Sequence, residues 1–111
     1  MSVEEAQQAI DHGRRLVLDE IEHGLDVALT GDMGIGNTTA SAALICALTQ
    51  FDPKDVVGRG TGVDGAGLER KREAVRTALK ANAERIAQGP LEALAAVGGL
   101  EIGRASCRER V

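Results

Sequence analysis

Two glycine-rich stretches and one lysine are the parts of this chain whose residue types and spacing suit chemistry: GDMGIGNTT at 31–39, GRGTGVDGAG at 58–67, and Lys71. A glycine-rich turn between a buried strand and a helix gathers several backbone N–H groups and the positive end of the helix dipole at one point. Such a point attracts anions. Gly34 and Gly36 permit positive φ and keep Cβ atoms out of a ligand's way, while Thr38 and Thr39 add hydroxyl donors in the first helical turn. Phosphate is the natural guest. Residues 31–38 follow the P-loop spacing GxxxxGK[ST], except that Asn37 stands where the lysine belongs. That lysine reaches β- and γ-phosphates, so its loss favours a monophosphate over a triphosphate. The dinucleotide pattern GxGxxG also fails, because the glycines run Gly31, Gly34, Gly36. Gly58, Gly60 and Gly62 with Thr61 would form the opposite wall of a cleft, within reach of Lys71. The competing reading is that the glycines make only a tight strand-to-helix turn and that Lys71 lies on a solvated helix face.

The elements that must position these loops follow from capping signals and apolar periodicity. Ser2 with Glu5 is a capping-box pair, and Val3, Ala6, Ala9, Ile10, Val17 and Ile21 recur at helical spacing, predicting a helix over 3–23 that stops at Gly24. Leu25, Val27 and Leu29, bounded by Gly24 and Gly31, predict a short buried strand. Asn37 is the candidate N-cap of a helix through ASAALICALT, which ends near Phe51, Asp52 and Pro53. Asp55, Val56 and Val57 predict a second short strand or an extended link. A charged helical pattern covers Leu68 to about Ile86, and a last short helix runs from Pro90 to Gly98 and Gly99. No internal repeat is visible. Helix feeding strand feeding helix implies α/β: part of a parallel-sheet, Rossmann-like domain in which helices dominate this stretch.

Composition bounds the possibilities. With 111 residues there is room for one domain, and with 14 Gly, 17 Ala and a single aromatic residue, Phe51, the core is thin. The net charge of −4 argues against a nucleic-acid surface, which needs clustered Lys and Arg. The longest uncharged stretch, Met33 to Phe51, holds too many polar residues for a membrane span. The start, MSVEEAQQ, lacks the basic and apolar regions of a secretory signal, so the expected location is cytoplasmic. Cys46, Cys107, His12 and His23 are too few and too scattered for a metal site or a disulfide framework. The last nine residues, GRASCRERV, carry three Arg and one Glu, leaving the rest of the chain at −6. They read as foreign to what precedes them, which divides the chain into a domain over 1–102 and a non-native tail over 103–111.

Taken together, GDMGIGNTTASAAL, VVGRGTGVD, Lys71 and PLEALAAVGGLEI closely resemble the nicotinate-nucleotide-dimethylbenzimidazole phosphoribosyltransferases, over about residues 2–102. The resemblance implies an α/β domain with a parallel sheet beside a smaller helical domain, usually in a homodimer. It implies transfer of phosphoribosyl from nicotinate mononucleotide to 5,6-dimethylbenzimidazole, giving α-ribazole 5′-phosphate and nicotinate in cobalamin assembly, with no cofactor. Asp32 falls where the family usually has glutamate. By position, Asp32, Gly34, Ile35, Gly36, Asn37 and Thr38 would hold the nucleotide phosphate, with Lys71 at that same end and Gly60, Thr61 and Gly62 as the facing wall.

Family chains are considerably longer, and their catalytic glutamate, which deprotonates the azole, lies in a C-terminal segment not represented here. No residue of this chain, Glu101 included, is therefore assigned a catalytic role, and the chain reads as an internal fragment, inactive alone. Two other classes compete: a non-catalytic nucleotide- or protein-binding module, and a divergent P-loop protein.

Overall fold

The computed structural model describes residues 1–105. The first helix, α1 (Val3–Glu22), starts where the capping box predicts: Ser2 Oγ accepts from the Glu5 N–H at 3.1 Å and Glu5 Oε2 accepts from the Ser2 N–H at 2.8 Å. It stops at His23, followed by Gly24 at φ +92°. Its buried face is made of small residues, Ala6, Ala9 and Gly13. Small residues there let a second helix approach closely, and the partner is α7 (Leu100–Ala105). A Cβ on Gly13 would run into the Arg104 carbonyl, and one on Gly103 would stand 3.0 Å from Ala9 Cβ.

Residues 25–34 correct the first strand expectation. They carry no regular secondary structure, and Val27 and Leu29 are 69% and 91% exposed instead of buried. A strand exists only by sharing its backbone hydrogen bonds with a neighbour, and no strand occurs among the described residues. The parallel sheet implied by the alternating pattern is accordingly not present in them. The second strand expectation, at 55–57, is also corrected. Asp52 accepts from the Lys54 N–H at 2.8 Å with Pro53 in the first turn, and this start signal outweighs the two valines to give α3 (Pro53–Val56). Only Val57 is extended, and it is buried.

The core lies around α2 (Asn37–Thr49), whose Ala42, Ala43 and Cys46 pack with Val57, with Val75 of α4 (Gly65–Ala81) and with Val97 of α6 (Pro90–Val97). A second cluster, Ala6 with Leu94 and Ala95, joins α1 to α6 and shares Leu44 with the first. Asp64 caps α4 by accepting from the Gly67 N–H at 2.6 Å. The helix expected through Ile86 breaks at Asn82, whose side chain donates to the Ala78 carbonyl at 2.9 Å, and resumes as α5 (Ala83–Ile86). After Gly98 and Gly99 the chain turns into α7, so helix continues through position 103; from residue 106 on, the expected tail lies outside the described residues. Among the described residues no helix is long and apolar enough to cross a membrane.

Candidate functional site

The packing of α4 against α2 brings the two glycine-rich loops together. Lys71, in the second turn of α4, donates from Nζ to Thr38 Oγ1 at 2.9 Å and to the Gly58 carbonyl at 3.2 Å. One ammonium thus spans from the first turn of α2 to the second loop. Gly60 lies against both partners, since a Cβ there would stand 2.9 Å from Thr38 Oγ1 and 3.1 Å from Lys71 Nζ. Its φ of +58° is a left-handed conformation that also favours glycine. Thr61 and Gly62 follow in the same loop, both exposed. The loop braces itself through Arg59, whose guanidinium donates to the Val63 carbonyl at 3.1 Å.

In the first loop, Asp32 Oδ1 accepts from the Gly34 N–H at 2.6 Å, and Gly34 and Gly36 take φ of +76° and +78°. Ile35 between them is 73% exposed. Gly36, not Asn37, is the N-cap of α2, which corrects the capping expectation. The helix already begins at Asn37, so the cap position falls one residue earlier, and the Asn37 side chain bonds elsewhere: Nδ2 donates to Glu101 Oε1 at 2.8 Å, and Oδ1 accepts from Ser41 Oγ at 2.9 Å. Ser2, Asp52 and Asp64 cap α1, α3 and α4 through their side chains, whereas no described side chain caps α2. The first N–H groups of α2 therefore point out of the helix with the dipole behind them and Lys71 alongside.

Two clefts flank this helix start. One, of about 250 Å³, lies between Thr38, Ser41, Val56, Gly58 and Gly60. The other, of about 620 Å³, is lined by Leu29, Gly31, Asp32, Asn37 and Glu101 among others. Asn37 and Ser41 belong to both, so the Asn37 side chain stands on the ridge between them. The Lys71 ammonium lies beside Thr38, Gly58 and Gly60, which line the smaller cleft, and two carboxylates, Asp32 and Glu101, line the larger one, so the charge of the smaller cleft suits an anion better. Among the described residues no group of three or more His, Cys, Asp or Glu could hold a metal ion.

Glu101 and Ser41 are the site neighbours that sequence reasoning misses, whereas Gly58, read as part of the facing wall, accepts from Lys71 through its carbonyl. Ser41 sits one helical turn from Asn37 and was open to inference from that spacing. Glu101 is 64 residues away and carries no local signal.

Residues 1–106 match the family model described as "Phosphoribosyltransferase". The chain is 55% identical over 102 residues to the nicotinate-nucleotide–dimethylbenzimidazole phosphoribosyltransferase of Chromobacterium violaceum, covering 92% of this chain and 29% of that protein. It is 51% identical over 102 residues to the enzyme of the same name from Thermus thermophilus, covering 92% and 30%. The crystal structure of CobT from Thermus thermophilus superposes with a TM-score of 0.78 at 47% identity, over 94% of this chain and 31% of that one. The chain thus spans a little under a third of the length of these relatives.

Proposed function

The chain belongs to the phosphoribosyltransferase family, and from that membership we propose that it supplies the phosphate-holding part of an enzyme that moves phosphoribosyl from nicotinate mononucleotide to 5,6-dimethylbenzimidazole, releasing nicotinate. The observation that carries this reading is the Lys71 ammonium, held between Thr38 Oγ1 and the Gly58 carbonyl beside the uncapped start of α2. A phosphate monoester seated there would take amide hydrogen bonds from α2, a hydroxyl hydrogen bond from Thr38 and a charge-assisted one from Lys71. Gly34, Ile35, Gly36 and Asn37 would contribute through the loop backbone, and Gly60, Thr61 and Gly62 would close the facing wall.

Asp32 acts differently from the others in this account. Its carboxylate occupies the Gly34 N–H, so it shapes the loop and repels an anion that approaches from its own side. It thereby favours the Lys71 side of the ridge for the phosphate.

In the transfer itself, an azole nitrogen attacks C1′ of the ribose, the bond from C1′ to the nicotinate nitrogen breaks, and the azole proton passes to a base. Fixing the phosphate removes much of the orientational cost of that displacement. Both carboxylates near the ridge already hold parts of the loop, Asp32 at Gly34 and Glu101 at Asn37, and neither is assigned the proton. We take the base to come from another segment of the longer enzyme. In that enzyme residues 25–34, of which 26–33 are exposed here, would join a parallel sheet, which supplies the neighbours a strand at Leu25–Leu29 requires. The full enzyme is read as a cytoplasmic homodimer that needs no cofactor.

Titration of the 111-residue chain with nicotinate mononucleotide and with ATP, followed through the Gly34 and Gly36 amide resonances, tests the proposal. The expected result is weak binding of the mononucleotide, preferred over ATP, with no α-ribazole 5′-phosphate formed in the presence of the benzimidazole. A preference for ATP would point to a triphosphate site, and silence toward both ligands to a non-catalytic module. Robust turnover by this chain would contradict the assignment of the base to another segment.

A further inference from the structure

We propose that residues 25–29 form a self-association edge: two copies of this chain pair the segment with itself as antiparallel strands, in a register centred on Val27. The inference is independent of the phosphate reading. It starts from backbone groups left without partners. Among the described residues, the N–H and C=O groups of residues 26–33 make no hydrogen bond, and Val27 and Leu29 stand open to solvent. Unpaired backbone beside alternating apolar side chains is a template on which another strand adds. In such a strand Leu25, Val27 and Leu29 share one face, with Asp26 and Ala28 on the other.

Charge and pattern select a second copy in one register. An antiparallel pair centred on Val27 sets Leu25 against the second copy's Leu29, Val27 against its Val27, and Asp26 against its Ala28. No like charges meet, and the apolar side chains of both copies fall on one face. Centring the pair on Asp26 would oppose two carboxylates, as would a parallel pair in register, and centring it on Ala28 would leave Leu25 against Gly31. A one-residue slip would turn one copy's apolar side chains to the opposite face.

The end of α1 fits this register. The Gly24 and Leu25 N–H groups already donate to the Ile21 and Glu20 carbonyls, at 3.0 and 3.1 Å, so free backbone begins at Asp26. The ladder bonds then run between Asp26 and Ala28 of the two copies, each such pair exchanging both N–H···O bonds. Val27 meets Val27 at the non-hydrogen-bonded position between them, where Cα atoms approach to about 4.5 Å. A two-stranded ribbon this short is marginal in water, so the association is weak and depends on concentration. In the longer enzyme, sheet neighbours would occupy the same segment and the pairing would not form.

Sedimentation equilibrium of the 111-residue chain, from micromolar to millimolar concentration, tests the proposal against Val27→Lys, Val27→Glu and an equal mixture of the two. Val27 is mostly exposed, so both variants should keep the parent's helical circular dichroism. The parent is expected to dimerise toward millimolar concentration. Each charged variant alone opposes like charges at the centre of the pair, and its dimer dissociation constant should rise at least about tenfold. The mixture sets lysine against glutamate and should return to within about threefold of the parent. Val27 is its own neighbour only in the proposed register, so rescue by mixing reads the register directly. A parent that stays monomeric at millimolar concentration, a charged variant that dimerises as the parent does, or a mixture that does not regain the dimer overturns the proposal.

Discussion

Lys71 Nζ lies 2.9 Å from Thr38 Oγ1, joining residues 33 positions apart in the chain at the start of α2. The same ammonium is 3.2 Å from the Gly58 carbonyl, so the relationship fixes the second glycine-rich loop as well. A lysine with two ligand-like oxygens has a third donor left. That donor is what a phosphate would meet in the cleft between Thr38, Gly58 and Gly60.

Replacing Lys71 by Ala removes both the charge and the link between the loops. Nicotinate mononucleotide affinity is expected to drop about tenfold to a hundredfold, the usual range for losing a charge-assisted hydrogen bond. Titration of the variant by amide shifts checks this. An unchanged affinity would return Lys71 to the role of a solvated helix lysine.

Gly60→Ala places a Cβ 2.9 Å from Thr38 Oγ1 and 3.1 Å from Lys71 Nζ, at a φ of +58° that disfavours any side chain. Lys71 can shift at little cost, but Thr38 is short and anchored in α2. A loss of about 1–2 kcal/mol in stability is expected from the backbone conformation alone. Urea unfolding measures it, and ligand affinity should fall as well because the cleft narrows at its cation.

Gly13→Ala tests the docking of α7. In the middle of an exposed helix this change ordinarily adds about 1 kcal/mol of stability. Here the new Cβ would meet the Arg104 carbonyl, so a net loss of about 1–3 kcal/mol is expected. A higher melting temperature in the variant would show that α7 does not lie against α1 in solution.

Burial pushes the Cys46 thiol above its ordinary pKa, with the nearby Asp52 carboxylate adding to the effect. The thiolate fraction at neutral pH is therefore reduced, and the residue should react slowly with a thiol reagent. Because the folded form holds its proton more tightly, this contribution to stability is complete below the unfolded pKa and is lost as pH rises through the folded one. Comparing the Cys107→Ser chain with a Cys46→Ala, Cys107→Ser chain should show a steeper alkaline loss of stability in the one that keeps Cys46.

How far the sequence alone leads depends on whether a signal is local. Ser2 and Glu5 sit three residues apart and bond to each other as their spacing implies, and Pro90 and Gly98 bracket α6 as read. The alternation at Leu25–Leu29 is a real strand pattern, yet strand formation depends on neighbours that no local pattern supplies. At Asp55–Val57 the strand preference of two valines loses to the start signal of Asp52 and Pro53. The α7 helix was unexpected because Gly98 and Gly99 look like an end, although they serve as a bend. At the candidate site, Gly34, Gly36, Asn37, Thr38, Gly60 and Lys71 were all legible as residue types, and the structure groups Thr38, Gly60 and Lys71 within contact. What could not be read was the bond between Asn37 and Glu101, 64 residues apart, which arises only through tertiary packing.

The claim on which the rest depends is that the start of α2 and Lys71 recognise a phosphate. Binding of nicotinate mononucleotide compared with that of its dephosphorylated riboside, both followed through the Gly36, Asn37, Thr38 and Gly60 amides, tests it most directly. At least about a tenfold preference for the phosphorylated ligand is expected, with those four amides shifting together. Equal affinity for the two ligands, or a response that leaves those amides unmoved, would contradict it.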